Sequence, residues 1–334
     1  MAHVVDRAGL ARRVRAAARR SESAARRRDA RAARLAARRE AVIEPPSAPE
    51  LEDVGEVSAR ARAGLAGVAR IVAVMSGKGG VGKSAVAVNL AAALGLRGRR
   101  IGLLDADLHG PSVAQMLGLR GQPVRIGTDE RLRPIAGPAG LAVQSMDFFL
   151  QGNQALDWEG ADGSGAVWRS ALEQAALADL IGRTAWGELD CLVIDLAPGA
   201  DRLPALLPFL TDRVVALAVA IPTEVALLAV ERSLRRALEA RVPIAGLVEN
   251  FASAVCGACG AEVALFREAD PAPRFASMGV EVIARIPFDP ALARAADAGR
   301  PYVAGPGARE PAGRALLALA DRVLCYDGAP EVGA

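Results

Sequence analysis

The chain has 334 residues, 52% of them hydrophobic but only 4% aromatic, and a formal net charge of +3. That length bounds one large α/β domain or two modest ones, with a core of Leu, Val and Ile rather than rings. No apolar run approaches the roughly 20 residues a spanning helix needs, and residues 1–40 lack the apolar segment of a secretory signal. Four cysteines suit a reducing compartment rather than a disulfide scaffold. A cytoplasmic protein without a membrane partner is the expectation.

Residues 1–44 are an Arg/Ala-rich tail. Residues 1–40 hold 13 Arg against four acids, so the positive charge is local and the remainder of the chain is net acidic. Large apolar side chains are too sparse there to bury much surface, which predicts a solvated helix or disordered arm. Contact with nucleic-acid phosphates and a transit peptide are the competing readings. Residues 45–68, opening with Pro45, Pro46 and Pro49, are expected as a linker.

From 69 to 326 the pattern is strands alternating with helices, followed by a short tail at 327–334. Strands are expected at 71–75, 101–104, 191–194, 214–220, 244–248 and 280–286. Shorter strands at 132–135 and 141–144 suggest a hairpin. Helices are expected at 83–96, 167–183, 224–240, 290–298 and 309–324. Continuous apolar strands between helices predict a mainly parallel sheet covered on both faces. Ligands on such sheets bind at the carboxyl ends of strands.

One such end carries Gly77-Lys78-Gly79-Gly80-Val81-Gly82-Lys83-Ser84, which fits G-x-x-x-x-G-K-[ST] between a strand and a helix, the context that motif requires. Its backbone N–H groups and the helix N-terminus suit phosphate. Lys83 is expected on the β- and γ-phosphates, and the Ser84 hydroxyl on Mg²⁺. Lysine usage marks the same place: of 41 basic residues only Lys78 and Lys83 are Lys, as though the broad guanidinium fork would not fit here. In G-K-G-G-x-G-K-S, Lys78 resembles the signature lysine of the deviant P-loop ATPases, a dimerising group including MinD, ParA and the nitrogenase iron protein. That likeness implies a lysine reaching the partner's nucleotide.

Three carboxylates follow other strands. Asp105 and Asp107 end the second, and Asp195 lies at the end of the 191–194 run. Beside a P-loop they suit Mg²⁺, directly or through water, and orientation of an attacking water. Asp107 is assigned to the water, Asp105 and Asp195 to the metal; helix capping, the usual role of an isolated strand-end Asp, does not by itself account for all three. Cys256-Gly257-Ala258-Cys259 is a lone C-x-x-C: half a zinc site, a redox pair or coincidence. A closed site needs four ligands, and Cys191 and Cys325 are expected as core residues. Two pairs meeting at a dimer axis would supply four thiolates.

With these residues assembled, the stretch from about 70 to 325 resembles the Mrp/ApbC family of ATP-dependent iron–sulfur cluster carriers. The likeness rests on Ser76 to Ser84, on Leu104-Asp105-Ala106-Asp107-Leu108-His109-Gly110-Pro111-Ser112, on Trp168-Arg169, on Trp186-Gly187-Glu188-Leu189-Asp190, and on Val248-Glu249-Asn250 before Cys256 and Cys259. It implies a deviant P-loop fold and a homodimer that hydrolyses ATP. It further implies a bridging [4Fe–4S] cluster on both cysteine pairs, passed to apo iron–sulfur proteins, and an Asn250 that helps recognise adenine. Three departures stand out. Ala85 replaces the family's usual Thr beside the phosphates. Ala197-Pro198-Gly199-Ala200-Asp201-Arg202 replaces P-P-G-T-G-D, which predicts slow or differently coupled hydrolysis. The basic tail replaces the usual N-terminal α/β domain. The competing functions are a ParA- or MinD-like spatial organiser, whose DNA-binding version leaves Cys256 and Cys259 unexplained, and a regulatory ATP-binding protein.

Overall fold

Five consecutive apolar residues, Ile71–Met75, are all buried and form strand β1 at the middle of the sheet. Alternation along the strand divides them between two cores. Val72 and Val74 face one, while Ile71, Ala73 and Met75 face the other. The computed structural model describes residues 54–150, 166–256, 258–266 and 271–327; the tail 1–44 and residues 328–334 lie outside them.

The further strands are β2 (Ile101–Ala106), β3 (Arg125–Ile126), β4 (Leu132–Arg133), β5 (Ile135–Ala136), β6 (Ala142–Ser145), β7 (Cys191–Leu196), β8 (Val214–Ala220), β9 (Ile244–Val255), β10 (Glu262–Ala264) and β11 (Val282–Phe288). The main sheet runs β10-β9-β8-β1-β7-β2-β6-β5, with β11 also paired to β9. Pairing is parallel throughout its centre and antiparallel only for β5 and β10. Doubly covered parallel strands must be apolar on both faces, as these are.

On one face lies the helix Lys83–Leu96, whose residues Val86 to Leu94 are all buried. It is enclosed between the sheet and the helix Pro311–Cys325, which contributes Leu316, Leu319 and Val323. The opposite face carries Ile181 of the helix Ala166–Arg183 and Leu227, Val230 and Leu234 of the helix Glu224–Glu239.

The structure departs from the sequence reading in four places. The expected linker contains a helix, Val54–Gly64, and Val57, Ala61, Leu65 and Val68 are buried in the second core. The contact works through small residues: a Cβ on Gly64 would lie 2.8 Å from the carbonyl oxygen of Gly182. The 132–135 strand is split at Pro134, which has no N–H to donate. Leu132–Arg133 pairs with β3 in a separate ribbon, and Ile135–Ala136 alone makes the antiparallel pair with β6. Strand β9 continues seven residues past the expected end at 248, carried by backbone pairing to β11 and β10 rather than by apolar side chains. Cys191 is buried as expected, but Cys325 is exposed in the last turn of its helix.

Candidate nucleotide site and cysteine knuckle

The phosphate loop leaves β1 at Ser76 and enters the helix at Lys83. Gly80 and Gly82 adopt φ of 79° and 80°, the left-handed region that glycine enters without penalty. Gly77 is required for a different reason: a Cβ there would lie 2.1 Å from the backbone of Ala229 on the helix Glu224–Glu239. That helix therefore sits directly against the loop. Ser76 is buried and its hydroxyl donates to the Lys78 carbonyl at 3.0 Å.

Lys83 is 6% exposed, and its ammonium is ion-paired to Oδ1 of Asp195, which is wholly buried. Ser84 Oγ lies 3.4 Å from the same nitrogen. Register explains the meeting, because Asp195 on β7 stands opposite Val74 on β1 and Asp105 on β2. Strand partners share a face, and this is the face the helix Lys83–Leu96 covers. Burial raises the Asp195 carboxyl despite the opposing Lys83 charge. Its Oδ2 is one of two buried side-chain oxygens among the described residues without a hydrogen-bond partner. Such an atom has a strong demand for a cation or water.

Asp105 differs from its neighbour. Oδ2 accepts from the Ser112 and Val113 N–H groups, both at 3.0 Å, and from Ser145 Oγ at 3.3 Å, while Oδ1 accepts from the Asp107 N–H at 3.2 Å. Burial, and then the nearby Asp195 charge, push its carboxyl up to about 7. Its oxygens are largely committed to shaping the 107–113 loop. Its Oδ2 thus accepts from backbone N–H groups at the start of the helix Val113–Met116, a capping function. Asp107 is half-buried, with Oδ1 accepting from the Gly110 N–H at 3.1 Å. Lys78 is half-buried and has no ion-pair partner among the described residues. Ala85 supplies its carbonyl to Asn89 Nδ2 at 2.8 Å.

Asn250 is 4% exposed and donates from Nδ2 to the Val81 carbonyl at 2.8 Å, so β9 is fastened to the phosphate loop. The next residue, Phe251, has φ of 56°, uncommon for a bulky side chain. Its ring packs edge-on against Phe288, with centroids 5.5 Å apart. Here β9 bulges: Asn250 pairs with Ile286, but Ala254 pairs with Phe288.

The cysteines lie at the far end of the same strand. β9 and β10 form an antiparallel ribbon in which Val255 pairs with Glu262, and the loop between them carries Cys256 and Cys259. The Cys256 N–H donates to the Ala261 carbonyl and the Gly260 N–H to the Cys256 carbonyl, both at 2.8 Å. Gly260 turns the loop at φ of 72°. Hydrogen bonds from the Cys259 and Ala258 backbone N–H groups, then from the Cys259 side chain, hold the Cys256 thiol below its ordinary range. N–H groups aimed at a sulfur favour the thiolate, the form that binds metal. Cys191 is the opposite case, pushed by burial up to about 12. Among the described residues no three His, Cys, Asp or Glu side chains converge as a metal site, so one chain offers a pair of thiols and no more.

The structure thus brings Gly77 to Ser84, Asp105, Asp195 and Asn250 together and places Cys256 and Cys259 at a separate tip. Trp168 and Arg169 fall on the helix Ala166–Arg183. Trp186 is a core residue whose Nε1 donates to the Ile181 carbonyl, and Asp190 accepts from the Arg100 N–H. Ser145 and Glu173 are the polar groups the sequence reading missed, since neither lies in a motif.

Residues 67–324 match the ParA family model described as NUBPL iron-transfer P-loop NTPase. The chain belongs to this family of P-loop NTPases. It is 39% identical over 258 residues to an iron–sulfur cluster carrier protein of Saccharolobus solfataricus, covering 76% of this chain and 82% of that protein. It is 36% identical to one from Aquifex aeolicus, covering 71% of this chain and 62% of the other. A nucleotide-binding protein of Archaeoglobus fulgidus, solved in complex with ADP, superposes with a TM-score of 0.63 at 31% identity, over 77% of this chain and 96% of that one. The cell division ATPase MinD of Pyrococcus furiosus follows at a TM-score of 0.54 and 23% identity, covering 77% and 98%; this likeness is one of fold. Membership in the P-loop NTPase family makes the chain an ATP hydrolase. No helix among the described residues is long and apolar enough to cross a membrane.

Proposed function

We propose that this P-loop NTPase is an ATP-dependent carrier of a [4Fe–4S] cluster, working as a homodimer in the cytoplasm and delivering the cluster to apo iron–sulfur proteins. The observation that carries the reading is strand β9. One of its residues, Asn250, is bonded to the phosphate loop, and the strand runs directly into the Cys256–Cys259 knuckle. The relatives' descriptions as cluster carriers support the same reading.

In this reading Gly77, Gly79, Gly80, Val81 and Gly82 present backbone N–H groups to the phosphates, and Lys83 exchanges Asp195 for phosphate oxygens. Asn250 faces adenine, and Lys78 serves the partner's nucleotide. Mg²⁺ fits the donor set, because Asp195 Oδ2 is buried without a partner and the Ser84 hydroxyl stands beside Lys83. Bound there, it would neutralise charge on the phosphates. Asp107 holds the attacking water. The cluster is cargo, taken by the thiolates of Cys256 and Cys259 from two copies.

Anaerobic reconstitution tests the cargo. The protein should take up about four irons and four sulfides per dimer, the content of one such cluster. Cys256→Ser and Cys259→Ser should each abolish that uptake while leaving ATP affinity unchanged, and Cys191→Ser should retain it. Tightly held zinc with no iron or sulfide uptake would overturn the reading.

A further inference from the structure

Glu173 stands on the helix Ala166–Arg183, outside every motif discussed above, and its two carboxylate oxygens serve two different loops. Oε1 meets His109 Nε2 at 2.6 Å, and Oε2 accepts from Arg202 Nη1 at 3.0 Å. His109 follows Asp107 by two residues in the loop that Asp105 shapes, and Asp107 is itself bonded to Gly110 of that loop. Arg202 ends the 197–202 loop after β7. The Gly199 N–H of that loop donates to the Ser76 carbonyl at 3.0 Å, and Pro198 lies beside Gly79. The two loops therefore border the phosphate site from different strands, and together with Glu173 and Leu177 of the helix they line a cavity of about 570 Å³. Asp201 is drawn the other way, to Arg236, so the 197–202 loop is held at three points, through Gly199, Asp201 and Arg202.

Glu173 is 15% exposed, against 54% and 43% for His109 and Arg202. Partial burial alone would raise its carboxyl, yet the hydrogen bonds from His109 and Arg202 bring it below the ordinary range. Two independent polar contacts at this exposure would contribute little to stability. One carboxylate bonded through its two oxygens to loops from different strands has another use: a single side chain sets the position of each loop relative to the other.

We propose that Glu173 is a positioning residue that ties the Asp107 loop to the 197–202 loop, so that both reach their hydrolytic geometry together. The proposal rests on the water-positioning role of Asp107, and Asp107→Ala examines that role separately. Near-wild-type turnover in Asp107→Ala would remove the assigned role without reference to Glu173.

Steady-state ATP hydrolysis by the full chain decides the matter through a double-mutant cycle. His109→Ala and Arg202→Ala should each lower kcat roughly tenfold through misplacement of reacting groups, with the ATP KM within about twofold. The double variant should fall no further, because either single change already uncouples the loops. Glu173→Gln should behave like the single variants. His109→Gln, which keeps a donor, should recover most of the rate. Unchanged thermal unfolding shows that each variant is folded. Multiplying losses in the double variant, a full rate in Glu173→Gln, or a loss confined to KM would each overturn the proposal.

Discussion

Lys83 and Asp195 bury opposite charges against one another, and that arrangement sets what substitution does. In the proposed site, removing the ammonium takes away the principal phosphate counter-charge; in the free protein it leaves Asp195 buried beside Asp105 with no cation. Lys83→Ala should therefore weaken ATP binding by roughly tenfold to a hundredfold, the range for a lost charged hydrogen bond, and lower stability as well. Adding Asp195→Asn should restore stability without restoring ATP affinity; recovery of both would exclude Lys83 from the phosphate site. Titration calorimetry and urea unfolding separate the two effects. Asp105 carries a second prediction. Its carboxyl is raised from 3.8 to about 7, so between those values the native state holds a proton that the unfolded chain has released. Stability of the nucleotide- and metal-free protein should thus fall as pH rises from about 4 to about 7. Asp105→Asn should flatten that slope in denaturant titrations across the window; an unchanged slope would show that Asp105 is not its source. The lysines and the three aspartates were legible in the sequence because each sits at a motif position after an apolar strand. Ser145 and Glu173 were not, because only folding brings them to Asp105 and to His109.

At the scale of elements, the small-residue crossing between the helices Val54–Gly64 and Ala166–Arg183 has a definite limit. A side chain at Gly64 meets the backbone of Gly182 at 2.8 Å, and backbone cannot rotate aside. Gly64→Val should destabilise the fold by about 1–3 kcal/mol, the usual range for overpacking, and leave ATP affinity intact. Equilibrium unfolding measures it; wild-type stability would mean that the helix Val54–Gly64 does not pack there. This helix escaped the sequence reading because Val57, Ala61 and Leu65 recur every fourth residue in a short stretch adjoining Pro-rich sequence, too weak a period to stand out. Strand β9 escaped in part for the complementary reason. Past Val248 its residues stop alternating, and it persists through pairing on both edges, with a bulge opposite Pro287 that allows Phe251 its positive φ.

For the whole molecule, a single chain offers half of each proposed site: one cysteine pair and a Lys78 without an ion-pair partner among the described residues. If Lys78 acts on the partner's nucleotide, Lys78→Ala should bind ATP nearly as well as the wild type and hydrolyse it poorly. Mixing it with Asp107→Ala should then give a concentration-dependent rate above either variant alone, because one of the two hybrid sites has both groups intact. Rates equal to the average of the separate variants at every concentration would place Lys78 in its own subunit.

What the sequence determined by itself was whatever depends on neighbours along the chain. The phosphate loop, its strand and helix, and the cysteine knuckle each need only a few consecutive residues, with glycines where φ turns positive. Tertiary structure alone decided which strand ends meet. The register of β7 between β1 and β2 sets Asp195 against Lys83 and Asp105, and the path of β9 joins Asn250 at the phosphate loop to Cys256. The underlying reason is that apolar parallel strands carry almost no information about their own order. That order is settled by how two cores pack on opposite faces of one sheet, and those cores draw on residues from Val57 to Val323.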